Sequence, residues 1–485
     1  MRLPRRLRQH WKWVAGFVAF VAVVALVFGE ARIRPYVTGD PTVITSAITE
    51  NIAGTVDLFD PTVPHELTIE VSEAEYDDMV AQFKADGDKK WVSADVTIDG
   101  TAISDVAVRL KGNSTLMGLR GIYFGPKPGE GRPGSGGPGP GPGGPPGGGP
   151  PREFPEMAKV SADDPTSLPL LISFDENAEG RGYQGLTELS VRPGAPVLNE
   201  ALALSLIAMT GQPTQRYSYV TYSINGNTTT RLVLEHPDEG YANGLFDSDG
   251  YLYKARVNSK LEYRGPDQSA YAEQFKQINA DGTGNLQPLI NFLEWLNGAD
   301  DEEFAGGLGD WVDLESLAYY AATQNLLVNA DDMAGPGQNY YLWYDLADRK
   351  FRVVSWDLNM AMMMGDPGLG PHDKLELKPP PGFEPPTGMG PPDGMSPGGN
   401  ILKERFLAAP AFKEVYDTAY WELYDAIYAD GQALALLDDI AETVPVTAGL
   451  STEKIAEQRN TLHKWLSDRA AALARARSAV AGGGR

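Results

Sequence analysis

Between Asn329 and Asn359 the chain reads NADDMAGPGQNYYLWYDLADRKFRVVSWDLN, and four side chains in it suit chemistry on a hydroxyl. Asp331 and Asp332 are adjacent carboxylates in a loop that follows a helix. Asn339 opens an aromatic strand, and Asp357 ends the strand that comes after a polar turn. This order predicts a hairpin whose rim carries an Asp, an Asn and a second Asp facing one space. A carboxylate placed there can receive a hydroxyl proton, while an Asn and a later Asp can hold Mg²⁺ against phosphates. Taken singly, each is equally an ordinary turn or strand-end residue. The order of the set carries the reading.

Composition removes several rival chemistries. The 485 residues carry a net charge of −24, with a pI near 4.6, which argues against a nucleic-acid partner because phosphate backbones need basic surface. The absence of cysteine excludes disulfides, thiol catalysis, thiolate zinc sites and iron–sulfur clusters. His10, His65, His236, His372 and His463 are scattered without ligand spacing, so a His-rich metal site is not expected. Neither a phosphate-binding G-x-x-x-x-G-K-[ST] loop nor an H-E-x-x-H pair occurs. What remains is a site built from oxygen ligands, which suits Mg²⁺.

The elements that must position these residues follow from the pattern. Residues 1–12 are basic, and the apolar run 13–29 is long enough to anchor in a bilayer, with the basic side cytoplasmic and the body outside. A cleaved signal peptide is the rival reading, with Gly29 and Ala31 as small residues at the cleavage site. Residues 30–60 read as a tether and 61–480 as one folded domain. That domain is interrupted by Gly/Pro-rich insertions at 125–155 and 366–399, which lack the side chains to order themselves. HELTIEV from His65 alternates as a strand does, Ser72 and Glu75 form a capping box, and Asp99-Gly100 joins two β-runs in a hairpin. LPLLISFD and GLTELSVR are further strands, and PVLNEALALSLIAM (196–209) is an amphipathic helix. A second hairpin turns at Asn225-Gly226, and YLYKARV adds a strand. Helices follow from Leu286, with Asp313 as an N-cap, and the last eighty residues are helical. Tyr416, Tyr420, Tyr424 and Tyr428 recur every fourth residue, as a core-facing stripe does.

Taken together the pieces resemble the CotH kinases (spore coat protein H-like). The resemblance rests on VRLKGNST (108–115), GLTELSVR, the helix ending MTGQP, YSING with RLVLEHPDEG, YLYKA, the NADD…NYYLWY…SWDLN block and the late ILKERFLAAPAFKEVY. It implies an α+β, atypical protein-kinase-like bilobal fold, with a β-rich N-lobe and a helical C-lobe. It also implies transfer of the ATP γ-phosphate to Ser or Thr of envelope proteins. Asp332, or its neighbour Asp331, matches the catalytic Asp; Asp357 and Asn339 match the metal-binding pair for Mg²⁺, with Mn²⁺ or Ca²⁺ as substitutes. On the nucleotide side, Lys111, Asn113 and Ser114 offer phosphate contacts, Glu235 sits where a hinge would receive adenine, and Lys254 is a second phosphate candidate. Glu200 would pair with a lysine. The chain departs from the family pattern in the Ala-Gly-Pro-Gly run before Asn339 and in Asn359, where a second acid is common. The alternative is a catalytically silent member of the same fold that organises the cell surface.

Overall fold

The computed structural model describes residues 48–112, 114–121, 159–257, 259–280, 285–363, 365–375 and 399–483. The basic run, the apolar stretch 13–29, all of the first insertion and residues 376–398 of the second lie outside them. No helix among the described residues is long and apolar enough to cross a membrane.

In chain order the first half comprises β1 (Glu50–Ile52), β2 (His65–Val71), α1 (Glu73–Asp86), β3 (Val92–Ile98), β4 (Thr101–Leu110), β5 (Leu170–Ser173), β6 (Arg181–Tyr183), β7 (Glu188–Val191), α2 (Leu198–Met209), β8 (Tyr217–Ile224) and β9 (Asn227–Glu235). Alternation of inward apolar and outward polar residues, as in HELTIEV, lets these strands bury one face. Seven of them close into a barrel in the order β2-β3-β4-β5-β7-β9-β8, with β8 returning parallel to β2. The Asp99-Gly100 and Asn225-Gly226 turns both take positive φ at each residue, the conformation that matches strand twist in two-residue hairpins. Leu67, Ile69, Val96, Val106, Ile172 and Val233 fill the interior. Closure leaves the barrel no free edge, beyond what a bilobal reading of the sequence anticipates.

The second half comprises α3 (Glu239–Gly244), β10 (Gly250–Ala255), β11 (Phe275–Gln277), α4 (Gln287–Gly298), α5 (Asp301–Trp311), α6 (Leu314–Leu326), β12 (Tyr340–Asp345), β13 (Phe351–Ser355), α7 (Ile401–Ala408), α8 (Lys413–Tyr424), α9 (Gln432–Thr443) and α10 (Thr452–Gly483). It is not purely helical: β11-β10-β12-β13 form a second, antiparallel sheet. α5 escaped the pattern reading because GGLG interrupts it, yet a full capping box between Asp300 and Glu303 starts it.

Helix α2 joins the two halves. It lies in one continuous core with barrel residues Tyr219 and Leu232 and with Leu317, Tyr320 and Tyr420 of the second half. It is therefore buried almost all round in its first two turns, from Leu198 to Leu204, rather than along one stripe. The tyrosine stripe is core, as its period implies, and its hydroxyls find partners: Tyr420 donates to Asn325 Oδ1 at 2.9 Å and Tyr428 to Leu326 O at 2.9 Å.

Two segments are better ordered than composition implies. Within the tether, β1 pairs in parallel with β6 and Leu58 is fully buried. In the second insertion, residues 365–375 are held by Arg469 of α10, whose guanidinium donates to Pro367 O (3.1 Å) and Leu369 O. Asn325 Nδ2 donates to Gly370 O (3.1 Å) and Tyr416 Oη to Pro371 O (2.6 Å). Backbone carbonyls need no apolar side chain to be bound, so a Gly/Pro composition does not prevent this anchoring.

Candidate active site

The loop between α6 and β12 divides its two acids. Asp332 is 1% exposed; its carboxylate accepts from Ala334 N at 2.8 Å and pairs with Lys403 of α7. Both partners are buried, so this is an internal brace. Asp331 is turned the other way. Its Oδ1 accepts from Gly337 N at 2.7 Å, and its Oδ2 from Asn339 Nδ2 at 3.1 Å. Burial pushes the Asp331 carboxyl up to about 6; the Gly337 N–H opposes the shift, and the charges of Asp357 and Asp332 add to it.

The glycines of the Ala-Gly-Pro-Gly run have a steric reason. A Cβ on Gly337 would lie 2.6 Å from Asn339 Nδ2 and 2.8 Å from Asp331 Oδ2; one on Gly335 would lie 2.5 Å from Asp331 Cα. The loop wraps Asp331 too closely for any side chain at either position.

Asp357 follows β13 with φ 52° and ψ 66°, a left-handed conformation that turns its side chain away from the strand's course. Asn199 Nδ2 fixes the next residues by donating to Asn359 O (2.7 Å) and Ala361 O (3.2 Å). Asp357 Oδ1 accepts from Arg192 Nη2 at 2.7 Å, and the same nitrogen pairs with Glu200. Glu200 thus meets an arginine from the end of β7, not the lysine expected of it. The candidate lysine is engaged elsewhere: Lys111 Nζ donates to Ser190 Oγ and, at 2.9 Å, to His236 Nδ1. His236 Nε2 faces Glu188 at 3.4 Å.

Lys254, on β10, lies 4.6 Å from the centre of the Trp356 ring, and Lys111 lies 5.5 Å from it. Burial pushes the Lys254 amine down to about 8, with Lys276 and Arg192 adding to the shift while Asp357 and Glu188 oppose it. The Lys111 amine is lowered as well, through burial and then the Arg192 and Lys254 charges, and burial and these lysines lower the His236 imidazole. Burial likewise raises the Glu188 and Glu200 carboxyls. Burial opposes the Arg192 charge, yet Glu200 and Asp357 keep its guanidinium above the ordinary range.

The structure therefore brings together Asp331, Asn339, Asp357, Glu200, Lys111 and Lys254, and adds Arg192, His236, Glu188 and Trp356, which sequence reasoning did not single out. Their signals were present but unspecific: Arg192 closes GLTELSVR, Glu188 lies within it, and Trp356 precedes Asp357. Glu235 ends β9 with both backbone groups engaged. Its N–H donates to Arg216 O at 2.9 Å, its C=O accepts from Gln215, and its carboxylate holds Arg216. Ser114 opens a 3₁₀ turn after Gly112, and Asn113 lies outside the described residues.

For a divalent cation, Asp357 and Asn339 supply oxygen donors only. Among the described residues no cluster of three or more His, Cys, Asp or Glu could hold a metal. One carboxylate and an amide oxygen still fit Mg²⁺, which commonly takes one or two carboxylates and completes its shell with phosphate and water.

A site of acids facing clustered cations, on a mixed α/β scaffold, is what a phosphate-handling protein requires. The model of the CotH kinase protein family matches residues 194–473, more than half of the chain, and the protein belongs to the CotH kinase family. Membership supports a kinase-like phosphotransferase. The matched span holds Glu200, Lys254, Asp331, Asn339 and Asp357, and leaves Lys111 and Arg192 before it. No curated protein matches the chain. Among solved structures it is similar to the Shewanella oneidensis MR-1 toxin–antitoxin complex of HipA, HipB and operator DNA, at 10% identity and a TM-score of 0.30. The chain spans 60% of that chain's length with 60% of its own, and a likeness this distant carries no argument.

Proposed function

We propose that this protein is a membrane-anchored, extracytoplasmic protein kinase with a bilobal kinase-like fold, transferring the ATP γ-phosphate to Ser or Thr hydroxyls of envelope proteins. The observation that supports it best is the gathering of Lys111, Arg192 and Lys254 around Trp356 and Asp357 in a chain of net charge −24. Buried lysines disfavoured by burial and by neighbouring cations are unfavourable alone; a polyphosphate relieves both the repulsion and the missing solvation. Bound Mg²⁺ would neutralise phosphate charge as the acceptor oxygen bonds to the γ-phosphorus and the bond to the bridging oxygen breaks, releasing ADP.

The chain's own residues then have distinct tasks. Asp331 accepts the acceptor hydroxyl's proton, and the Gly337 N–H and Asn339 amide orient its carboxylate for that. This moves the base from Asp332, whose carboxylate Lys403 occupies. Asp357 and Asn339 face the metal. Lys111, steadied by Ser190 and His236, keeps one N–H of its ammonium for phosphate, and Lys254 offers its own. The basic segment 1–12 followed by the apolar run 13–29 supports the anchor and the outward orientation.

The test is to incubate the soluble body, residues 30–485, with labelled ATP and Mg²⁺ or Mn²⁺, and to measure nucleotide binding by calorimetry. Binding with autophosphorylation is expected. Absence of nucleotide binding with any divalent cation overturns the kinase reading in favour of a silent envelope-organising protein.

A further inference from the structure

Arg192 has an arrangement that ordinary ion pairing does not explain. One nitrogen, Nη2, serves two carboxylates, Glu200 Oε1 and Asp357 Oδ1. Meanwhile Arg192 Nε and Glu200 Oε2 are both buried without a hydrogen-bond partner. A guanidinium facing a carboxylate normally forms two parallel bonds. Here the fork is turned so that a single arm spans both acids, and donor capacity is held in reserve.

The two ends of this bridge differ. The Glu200 side chain is 1% exposed, in the buried first two turns of α2, whereas that of Asp357 is 27% exposed. The Glu200 end is permanent because separation would strand a buried charge. The Asp357 end can exchange with solvent or with another cation. Charge points the same way: one arginine faces two carboxylates, and Asp331 lies near enough to feel Asp357.

We propose that Arg192 is a stand-in for the metal ion. In the metal-free protein it holds Asp357 in place. When a divalent cation takes the Asp357 carboxylate, Arg192 stays tethered to Glu200 and offers its released N–H groups to a nucleotide phosphate. This rests on the reading of Asp357 as a metal ligand. It makes Arg192 a competitor of the metal and a partner of the nucleotide, two effects of opposite sign on one residue.

The opposite signs supply the test. In the purified full-length chain, Mn²⁺ binding without nucleotide is titrated by the paramagnetic resonance of the free ion. ATP binding at saturating Mn²⁺ is measured by calorimetry. Arg192→Met should bind Mn²⁺ several-fold more tightly than the unmutated protein, because Asp357 loses its internal cation. ATP should bind roughly tenfold more weakly, the usual scale for a charge-assisted contact. Arg192→Lys, which cannot reach both acids, should shift both affinities in the same directions by less. A residue with only a structural role would weaken both, so Mn²⁺ affinity that is unchanged or lower in Arg192→Met overturns the proposal. Should that variant not fold, the pair Arg192→Met with Glu200→Gln removes the stranded charge and is read in the same way. Unmutated protein that binds neither Mn²⁺ nor ATP refutes the kinase reading itself. Unmutated protein that binds both, with an unresponsive Arg192→Met, refutes this inference alone.

Discussion

Asp331 and Asp332 are neighbours in the chain with separate fates, and they should fail differently when neutralised. Asp331→Asn keeps the loop's shape and removes the proton acceptor, so phosphate transfer should drop by roughly 10² or more with nucleotide binding retained. Binding calorimetry beside a transfer assay separates the two effects. Asp332→Asn leaves Lys403 buried without its counter-charge. Loss of one partner of such a pair costs about 3–5 kcal/mol, which denaturant unfolding would register as a large drop in midpoint. If instead Asp332→Asn is folded and inactive, the base assignment returns to Asp332. Gly337→Ala tests the wrapping of Asp331. The added methyl must move the Asp331 carboxylate or Asn339, so transfer should fall by about 10-fold to 10²-fold while the melting temperature changes little. Sequence alone placed these acids in one loop but did not separate them. Their division depends on Lys403, which reaches Asp332 from 71 residues further along the chain.

At the scale of elements, the 365–375 segment is fixed by side chains from three helices. Arg469 is fully buried and donates to Leu326 O at 3.2 Å, Asn325 O at 2.9 Å and Asn325 Oδ1 at 3.0 Å, besides its bonds to the 365–375 segment. Arg469→Met keeps the bulk and strips these carbonyls of their donor. Several kcal/mol should be lost, on the order of 1–3 for each buried group left unpaired, and the 365–375 segment should become a site of limited proteolysis. A variant as stable and as protease-resistant as the parent would show the clamp to be redundant. Element types were legible wherever period and turn chemistry agreed: β2, the hairpins at Asp99-Gly100 and Asn225-Gly226, α6 behind Asp313, and the tyrosine face of α8. What sequence could not show was assembly. The return of β8 alongside β2 pairs residues about 155 positions apart, His65 with Val220, and no local pattern encodes that. The partners of Glu200 were equally hidden, since a helical Glu carries no mark of whether an Arg or a Lys will meet it.

At the scale of the whole molecule, a chain of net charge −24 carries a local cluster of cations at the candidate site. The field outside repels acidic chains and draws basic ones. Acceptor peptides with Lys or Arg flanking the hydroxyl should therefore be modified faster than peptides flanked by Asp or Glu. The gap should shrink as salt is raised, because screening reaches the exposed charges first. An acidic-peptide preference that persists at high salt would place the discrimination in contacts rather than in the field.

The described residues on either side of the second Gly/Pro-rich stretch are anchored. On one side Gly370 and Pro371 accept from Asn325 and Tyr416; on the other, Gly399 N donates to Ala334 O at 2.7 Å, in the loop that carries Asp331. With both ends clamped, the length of what runs between them is uncoupled from the geometry of the acids. Lengthening a loop closed at both ends costs only about 0.6 kcal/mol for each doubling. Evolution can therefore lengthen, shorten or replace that stretch at little cost to the anchored residues on either side of it.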